Sequence, residues 1–218
     1  MSRSSLTAIQ GDLDLTGYFF KGDELTKPLD TDALFGRSAP VELEIGSGKG
    51  LFIRKAAALA PEHNFIGIEL AYRYALMSAA GLCKRGLTNA KMINADAALI
   101  LREYCQANSL AAIHVYFPDP WWKKSHRKRR ILRTDVLKLI ESRLVPGGKL
   151  HFWTDVEEYY YSTLDLLHSE TQLTGPNEVA EPEAEDDMDF RTHFERRTRL
   201  ASLPVWRCFF VKSAPSSP

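Results

Sequence analysis

Cysteine is scarce in this chain of 218 residues. Cys83, Cys105 and Cys208 are odd in number and far apart, which excludes a disulfide framework and the paired spacing that holds zinc. No metal site is expected, and three free thiols suit a reducing cytoplasm. Long apolar runs are missing too. No stretch of eighteen apolar residues occurs, and Met1-Ser2-Arg3-Ser4-Ser5 leads into polar sequence, so neither membrane insertion nor secretion is expected. Internal repeats are absent, and so is any second apolar block suggestive of a separate core.

Net charge is lacking as well, with 28 basic residues against 28 acidic ones. Taken as an average, that argues against a nucleic-acid partner, because such domains are often strongly basic. The distribution says otherwise. Trp121 to Arg133 holds seven lysines and arginines and no acid, whereas Glu178 to Asp189 holds seven acids and no lysine or arginine. Segregated blocks let a local anion-binding surface coexist with overall neutrality. What remains is ordinary globular composition, 44% hydrophobic and 26% charged, in a chain long enough for one sizeable domain.

Residues 1–39 are mixed, with turn signals at Lys21-Gly22-Asp23 and Lys27-Pro28, and read as an N-terminal extension without an assigned structure. From Pro40 the pattern changes. Val41 to Ile45, Asn64 to Glu69, Ala90 to Asn94, Ala111 to Phe117 and Lys149 to Thr154 read as short strands. Between and after them lie helical stretches at Leu51 to Ala60, Tyr72 to Arg85, Ala97 to Ala107, Arg133 to Leu144 and Val156 to His168. The helix from Tyr72 is expected to place Tyr74, Met77 and Leu82 on one side. Each parallel return needs a crossover, so this alternation predicts an α/β, doubly wound, mostly parallel seven-stranded sheet with helices on both faces. A further helix near Arg191 to Leu200 and a last strand at Val205 to Val211 close a domain spanning 40–212, and 213–218 reads as a frayed tail.

In such sheets ligands sit at the carboxyl ends of the strands. Glu44-Ile45-Gly46-Ser47-Gly48-Lys49-Gly50 places glycines where the chain must turn from strand to helix beside a ligand. Glu69 ends the second strand, positioned for ribose hydroxyls, and Asp96 follows the third, positioned for an adenine amino group. A nicotinamide dinucleotide could use the same features. Two details favour a different cofactor: Glu44 aims a carboxylate at the loop, and the third glycine of the dinucleotide fingerprint falls on Leu51. A pyrophosphate would be repelled there, and the cationic methionine part of S-adenosylmethionine attracted.

The fourth strand runs into Phe117-Pro118-Asp119-Pro120-Trp121-Trp122-Lys123-Lys124. Two prolines bracket Asp119 and restrict the backbone that carries it. Trp121 and Trp122 could stack on an unstacked base, and the run Lys123 to Arg130 offers charges for phosphates. No His/Cys/Ser nucleophile set accompanies them. Thr192 with Glu195 three residues on is also the pattern of a helix capping box.

The segments LEIGSGKG, GIEL, NAD, YFPDPWWKKSHRKRR, Thr154-Asp155 and Thr192-His193-Phe194-Glu195 together resemble the bacterial tRNA (guanine-N7)-methyltransferase family, over about residues 41–211 and in the same order. The resemblance implies a Rossmann-like class I methyltransferase fold and transfer of a methyl group from S-adenosylmethionine to N7 of a tRNA guanosine, at position 46 of the variable loop. It implies donor binding by Glu44, Gly46, Gly48, Glu69, Asp96 and Asp119, with Asp119 also catalytic. It implies substrate binding by Lys123, Asp155, Thr192, His193, Phe194 and Glu195. The rival expectations are a methyltransferase acting on another RNA base or position, where an adenine amino target would call for Asp-Pro-Pro-aromatic rather than Asp-Pro-Trp, and a non-catalytic RNA-binding subunit.

Overall fold

The computed structural model describes residues 12–179 and 192–214. The chain divides into two compact units, Met1–Tyr104 and Cys105–Pro218. Among the described residues there are eight strands, four in each unit, one more than the alternation of apolar segments suggests.

The first unit contains β1 (Phe19–Lys21), α1 (Thr31–Phe35), β2 (Val41–Ile45), α2 (Leu51–Leu59), β3 (Asn64–Glu69), α3 (Tyr72–Cys83), β4 (Ala90–Asn94) and α4 (Ala97–Glu103). Its strands lie in the order β1-β4-β3-β2, all parallel. Strands β2 to β4 are almost continuously buried, as their unbroken apolar character requires of parallel strands covered on both faces. Ile53, Leu82 and Met92 are wholly excluded from water in a core shared with Leu15, Phe65 and Leu76, each contributing about 1.5–3 kcal/mol. On α3 the buried side is Ala75, Leu76, Ala79, Ala80 and Leu82, while Tyr74 is exposed. The expected Tyr74–Met77–Leu82 face is therefore rotated: the small residues lie inward because helix and sheet approach closely, and the tyrosine stays in water. The N-terminal segment supplies β1, whose Phe19 pairs with Met92. Three residues before a Gly-Asp turn carry too little period-two pattern to reveal such an edge strand.

The second unit contains β5 (Leu110–Tyr116), a 3-10 turn at Lys124–Arg129, α5 (Thr134–Arg143), β6 (Leu144–Thr154), α6 (Glu157–Glu170), β7 (Leu173–Glu178), α7 (His193–Leu200) and β8 (Trp206–Lys212). The order is β5-β6-β8-β7. Strands β5 and β6 are parallel, and β8 runs antiparallel to both β6 and β7. Phe152, Tyr159 and Phe210 are fully buried here, with Phe152 and Tyr159 meeting edge-on at 5.7 Å. Strand β7 escapes notice in the sequence because Gly175-Pro176 interrupts it, and proline is admitted to a sheet only at an edge or a bulge. No described helix is long and apolar enough to cross a membrane.

Candidate functional site

In the first unit the carboxyl ends of β2, β3 and β4 lie side by side, since Ile45 pairs with Ile68 and Glu69 with Asn94. Glycine is demanded at two places near this edge. A side chain on Gly67 would come within 2.6 Å of Ser47 Oγ and 2.5 Å of Met92 Sδ, so its absence lets the turn after β2 fold down onto β3. Gly50, at φ +73°, opens α2 and lies so close to Ser78 that a Cβ would collide with it.

The polar groups of the turn are already committed in a telling way. Gly46 and Ser47 donate their N–H groups to Ile68 O at 2.8 and 3.1 Å, and Gly50 donates to Ser47 O at 2.8 Å. Gly48 donates to Glu69 Oε2 at 2.8 Å, while Glu69 Oε1 accepts from Ala71 at 2.8 Å. A phosphate cradle needs such N–H groups pointed at the ligand, and four of them here are spent on the protein itself. Each Glu69 oxygen keeps a further lone pair able to accept from a hydroxyl. Asn94 secures the same corner by donating to Glu69 O and Leu70 O at 2.9 and 3.0 Å. Asp96 Oδ1 caps α4, accepting from Ala98 at 2.7 Å and Leu99 at 3.3 Å.

Glu44 is only 4% exposed, and its Oε2 has no hydrogen-bond partner among the described residues. Burial pushes its carboxyl up to about 7, and the nearby Glu69 adds to the rise, against lowering contributions from Ser47 and Arg54. A buried carboxylate with a bare oxygen is costly unless a cation meets it. The arrangement fits a cationic, ribose-bearing ligand: Glu44 for positive charge, Glu69 for ribose hydroxyls, and no ready nest for a pyrophosphate.

In the second unit Asp119 follows β5 and Asp155 follows β6. These strands are parallel neighbours, with Tyr116 paired to Trp153, so both aspartates stand at the same carboxyl edge. Asp119 is exposed and Asp155 half-buried. The loop begins where Phe117 donates to Trp153 O at 2.8 Å. Phe117 and Trp121 both lie at φ +49°, the left-handed region that bulky residues rarely adopt and that costs about 1–3 kcal/mol each. The two tryptophans have different fates. Trp121 is half-buried, with the Arg129 guanidinium over its ring at 5.1 Å and His126 edge-on at 6.0 Å. Trp122 is 69% exposed, beside the exposed Lys123 and Lys124.

The basic run is not a uniform phosphate-binding surface. Lys124 to Arg129 form a 3-10 turn, in which residues three apart face the same way. Arg127 and Arg130 both reach Glu158, at 3.1 and 2.6 Å, leaving Lys123, Lys124 and Lys128 as the exposed lysines of the run. Sequence reading misses this partition. Its one available signal is the spacing of three between the two arginines, which has meaning only once the 3-10 turn is known.

Thr192 Oγ1 accepts from Glu195 N at 2.9 Å and so caps α7. The Glu195 carboxylate is buried, with Arg199 and Arg207 nitrogens each 3.6 Å from Oε1. Phe194 rests on Phe117 at 5.2 Å, tying α7 to the Asp119 loop. The side chain of His193 lies outside the described residues, as does the acidic stretch beyond position 179 and the tail beyond 214.

With this geometry in view, the relationships of the chain are decisive. Residues 38–208 match the family described as "Putative methyltransferase". A tRNA (guanine-N(7)-)-methyltransferase of Rhodopirellula baltica is 42% identical over 218 aligned residues, covering 97% of this chain and 80% of that protein. The chain belongs to the tRNA (guanine-N7)-methyltransferase family. A member from Cupriavidus necator is 38% identical, covering 86% of this chain and 72% of its own length. Among solved structures, a 16S rRNA (adenine(1408)-N(1))-methyltransferase from Catenulisporales acidiphilia superposes with a TM-score of 0.59 at 19% identity, covering 87% of this chain and 94% of that one. A SAM-dependent O-methyltransferase from Thermotoga maritima gives 0.54 at 14% identity, covering 83% and 62%. These two share the fold, the α/β Rossmann-like architecture of class I methyltransferases.

Proposed function

We propose that this protein transfers a methyl group from S-adenosylmethionine to N7 of a tRNA guanosine, in the variable loop, in the cytoplasm. The single observation that carries the choice of donor is the buried Glu44 carboxylate, with a bare oxygen, beside a glycine turn whose N–H groups are already donated. The nature of the substrate is supported by a relative, 42% identical to this chain, that is a tRNA (guanine-N(7)-)-methyltransferase.

When bound, the donor supplies a methyl group on a positively charged sulfur. Ionised Glu44 balances positive charge in the methionine part, Glu69 accepts from the ribose hydroxyls, and Asp96 accepts from the adenine amino group, with Gly46 and Gly48 giving the ligand access to the backbone. Guanine N7 carries an exposed lone pair and needs no base to become nucleophilic, so the work falls on alignment. Asp119 and Asp155, at adjoining strand ends, accept from the guanine N1 and exocyclic amino hydrogens. Asp119 also stabilises the positive charge that appears on the purine as the methyl moves. Glu195, held by two arginines, sets α7, so that Thr192 and Phe194 keep their places next to the loop, with His193 in the same segment. Lys123 meets phosphate.

Unmodified tRNA incubated with enzyme and labelled donor should yield 7-methylguanosine on nucleoside analysis. Borohydride followed by aniline should then cleave the chain at one guanosine. Because Asp119 is exposed, Asp119→Ala should keep the melting temperature and lower kcat by about 10²–10³, the magnitude of losing one transition-state charge stabiliser. Methyl incorporation without guanosine-specific cleavage would overturn the N7 assignment.

A further inference from the structure

The loop that carries Asp119 has a backbone problem. Pro118 and Pro120 lack N–H groups, so two of the handles by which a loop is normally hydrogen-bonded into place are missing. Phe117 and Trp121, flanking the Pro-Asp-Pro core, both sit at positive φ, a conformation that persists only when its surroundings over-determine it. What can be held is a carbonyl, and one is. Arg130 Nε donates to Pro120 O at 2.8 Å.

The rest of Arg130 is built into the second unit. The residue is 6% exposed. Nη2 donates to Glu158 Oε2 at 2.6 Å, and Nη1 lies 3.4 Å from Glu158 Oε1 and 3.3 Å from Ser162 Oγ. Its guanidinium lies over the Tyr159 ring at 4.4 Å, and the Tyr159 hydroxyl accepts from Leu132 N at 3.3 Å, fixing the chain just beyond. Glu158 is held below the usual carboxylate range, first by its hydrogen bond to Arg130. A side chain so enclosed is not presented to an RNA backbone.

We propose that Arg130 and Glu158 form a clamp that holds the Asp119 loop in its reactive conformation, making Arg130 a positioning residue for methyl transfer and not a phosphate ligand. The proposal rests on the methyl-transfer reading of the loop. Within the basic run it divides the labour: Arg130 works inward on the loop, and the exposed lysines work outward on RNA. The fork of the guanidinium is essential, since it must serve Pro120 O, Glu158 and Ser162 at once, which an ammonium on a flexible stem does not reproduce.

The test compares Arg130→Lys, Glu158→Gln and the double variant, with melting temperature and donor titration as controls of folding. Each single substitution should lower kcat at least tenfold, the double variant should be no worse than the worse single one, and in Arg130→Lys and in a neutral Arg130→Gln the Kd for tRNA should stay within about twofold with its salt slope unchanged. Hydrogen exchange across residues 117–123 should speed up in all three. A phosphate role makes opposite demands. The neutral variant, Arg130→Gln, would then flatten the salt slope with kcat intact. Either that pattern or unchanged exchange in folded variants overturns the clamp. Wild-type enzyme that methylates no tRNA guanosine would instead overturn the activity, and the exchange measurement would still decide whether the loop is clamped.

Discussion

Two strand-end loops, one in each unit, solve the same physical problem in opposite ways. After β2 the chain turns through glycines, and its N–H groups are satisfied by Ile68 O, Ser47 O and the Glu69 carboxylate. After β5 it turns through proline and bulky aromatics, with Phe117 and Trp121 in the left-handed region and a buried arginine supplying the fixation. The first loop is at ease in its conformation because glycine makes it accessible. The second is forced into its conformation by side chains remote in sequence. A loop of the first kind should fail when a side chain is added, and one of the second kind when a side chain elsewhere is removed.

The largest effect is expected at Gly50. Alanine there must adopt φ +73° and place its Cβ against Ser78, adding left-handed strain of about 1–2 kcal/mol to overpacking of about 1–3 kcal/mol. Thermal melting should show Gly50→Ala destabilised by about 3–5 kcal/mol, the upper part of that combined range. The further change Ser78→Gly should recover the packing part and leave the conformational part. Full tolerance of Gly50→Ala would mean that the first loop, too, is shaped from outside.

Next in size is Glu44, near the end of β2 beside the first loop, with an unsatisfied buried oxygen. Its folded carboxyl titrates at about 7 against 4.5 for the free side chain. Below the unfolded value both states are protonated and nothing is lost. As pH rises towards 7 the unfolded chain ionises while the folded one keeps its proton, so the ligand-free protein should lose stability, by about 3 kcal/mol at most. Glu44→Gln should flatten that decline in denaturant titrations run at mildly acidic, intermediate and neutral pH. Donor affinity has the opposite sign, since the cationic ligand selects ionised Glu44. It should rise with pH up to about 7 in calorimetry, and the rise should vanish in the variant.

The same contrast explains how much of the molecule is legible in its sequence. The first unit is legible because its strands are buried on both faces and its turn announces itself through Gly46, Gly48 and Gly50, with Glu44 and Glu69 at strand ends where parallel topology puts ligands. The candidate residues Asp119 and Asp155 are legible for the same topological reason. The internal workings of the second loop are not. Trp121 and Trp122 are identical letters, yet the first ring is half-buried against Arg129 and His126 while the second stands in water. Seven basic residues look alike until Glu158, twenty-eight positions after Arg130, claims two of them. Pairings of that separation leave no periodic trace. The edge strands β1 and β7 are hidden for a different reason, being respectively too short and interrupted by Gly175-Pro176.

Trp122 offers a smaller effect that sharpens the comparison within the second loop. An exposed indole between a half-buried tryptophan and two exposed lysines suits stacking on an unstacked base, an interaction of about 1–3 kcal/mol and indifferent to which base it is. Trp122→Ala should therefore weaken tRNA binding by roughly that amount, Trp122→Phe by much less, and neither should alter the melting temperature. Equal affinity for wild type and Trp122→Ala in filter binding would leave Trp122 as a solvated ring.

The smallest effect is the most discriminating, because it separates basic residues that composition treats as equivalent. Lys124 and Lys128 are exposed, and no ion pair to either is seen among the described residues, whereas Arg127 is drawn to Glu158 at 3.1 Å. When a lysine that meets phosphate is neutralised, binding releases fewer counterions. The plot of log affinity against log salt should then flatten by about 0.7–0.9 for each phosphate left without its lysine. Lys124→Gln and Lys128→Gln should each show this and weaken different tRNAs alike, since bonds to phosphate carry no sequence information. Arg127→Gln should change the slope by less, its charge being already countered within the protein. If Arg127→Gln flattens the slope as much as either lysine variant does, its pairing with Glu158 gives way when RNA arrives, and the inward side of the run narrows to Arg130 alone.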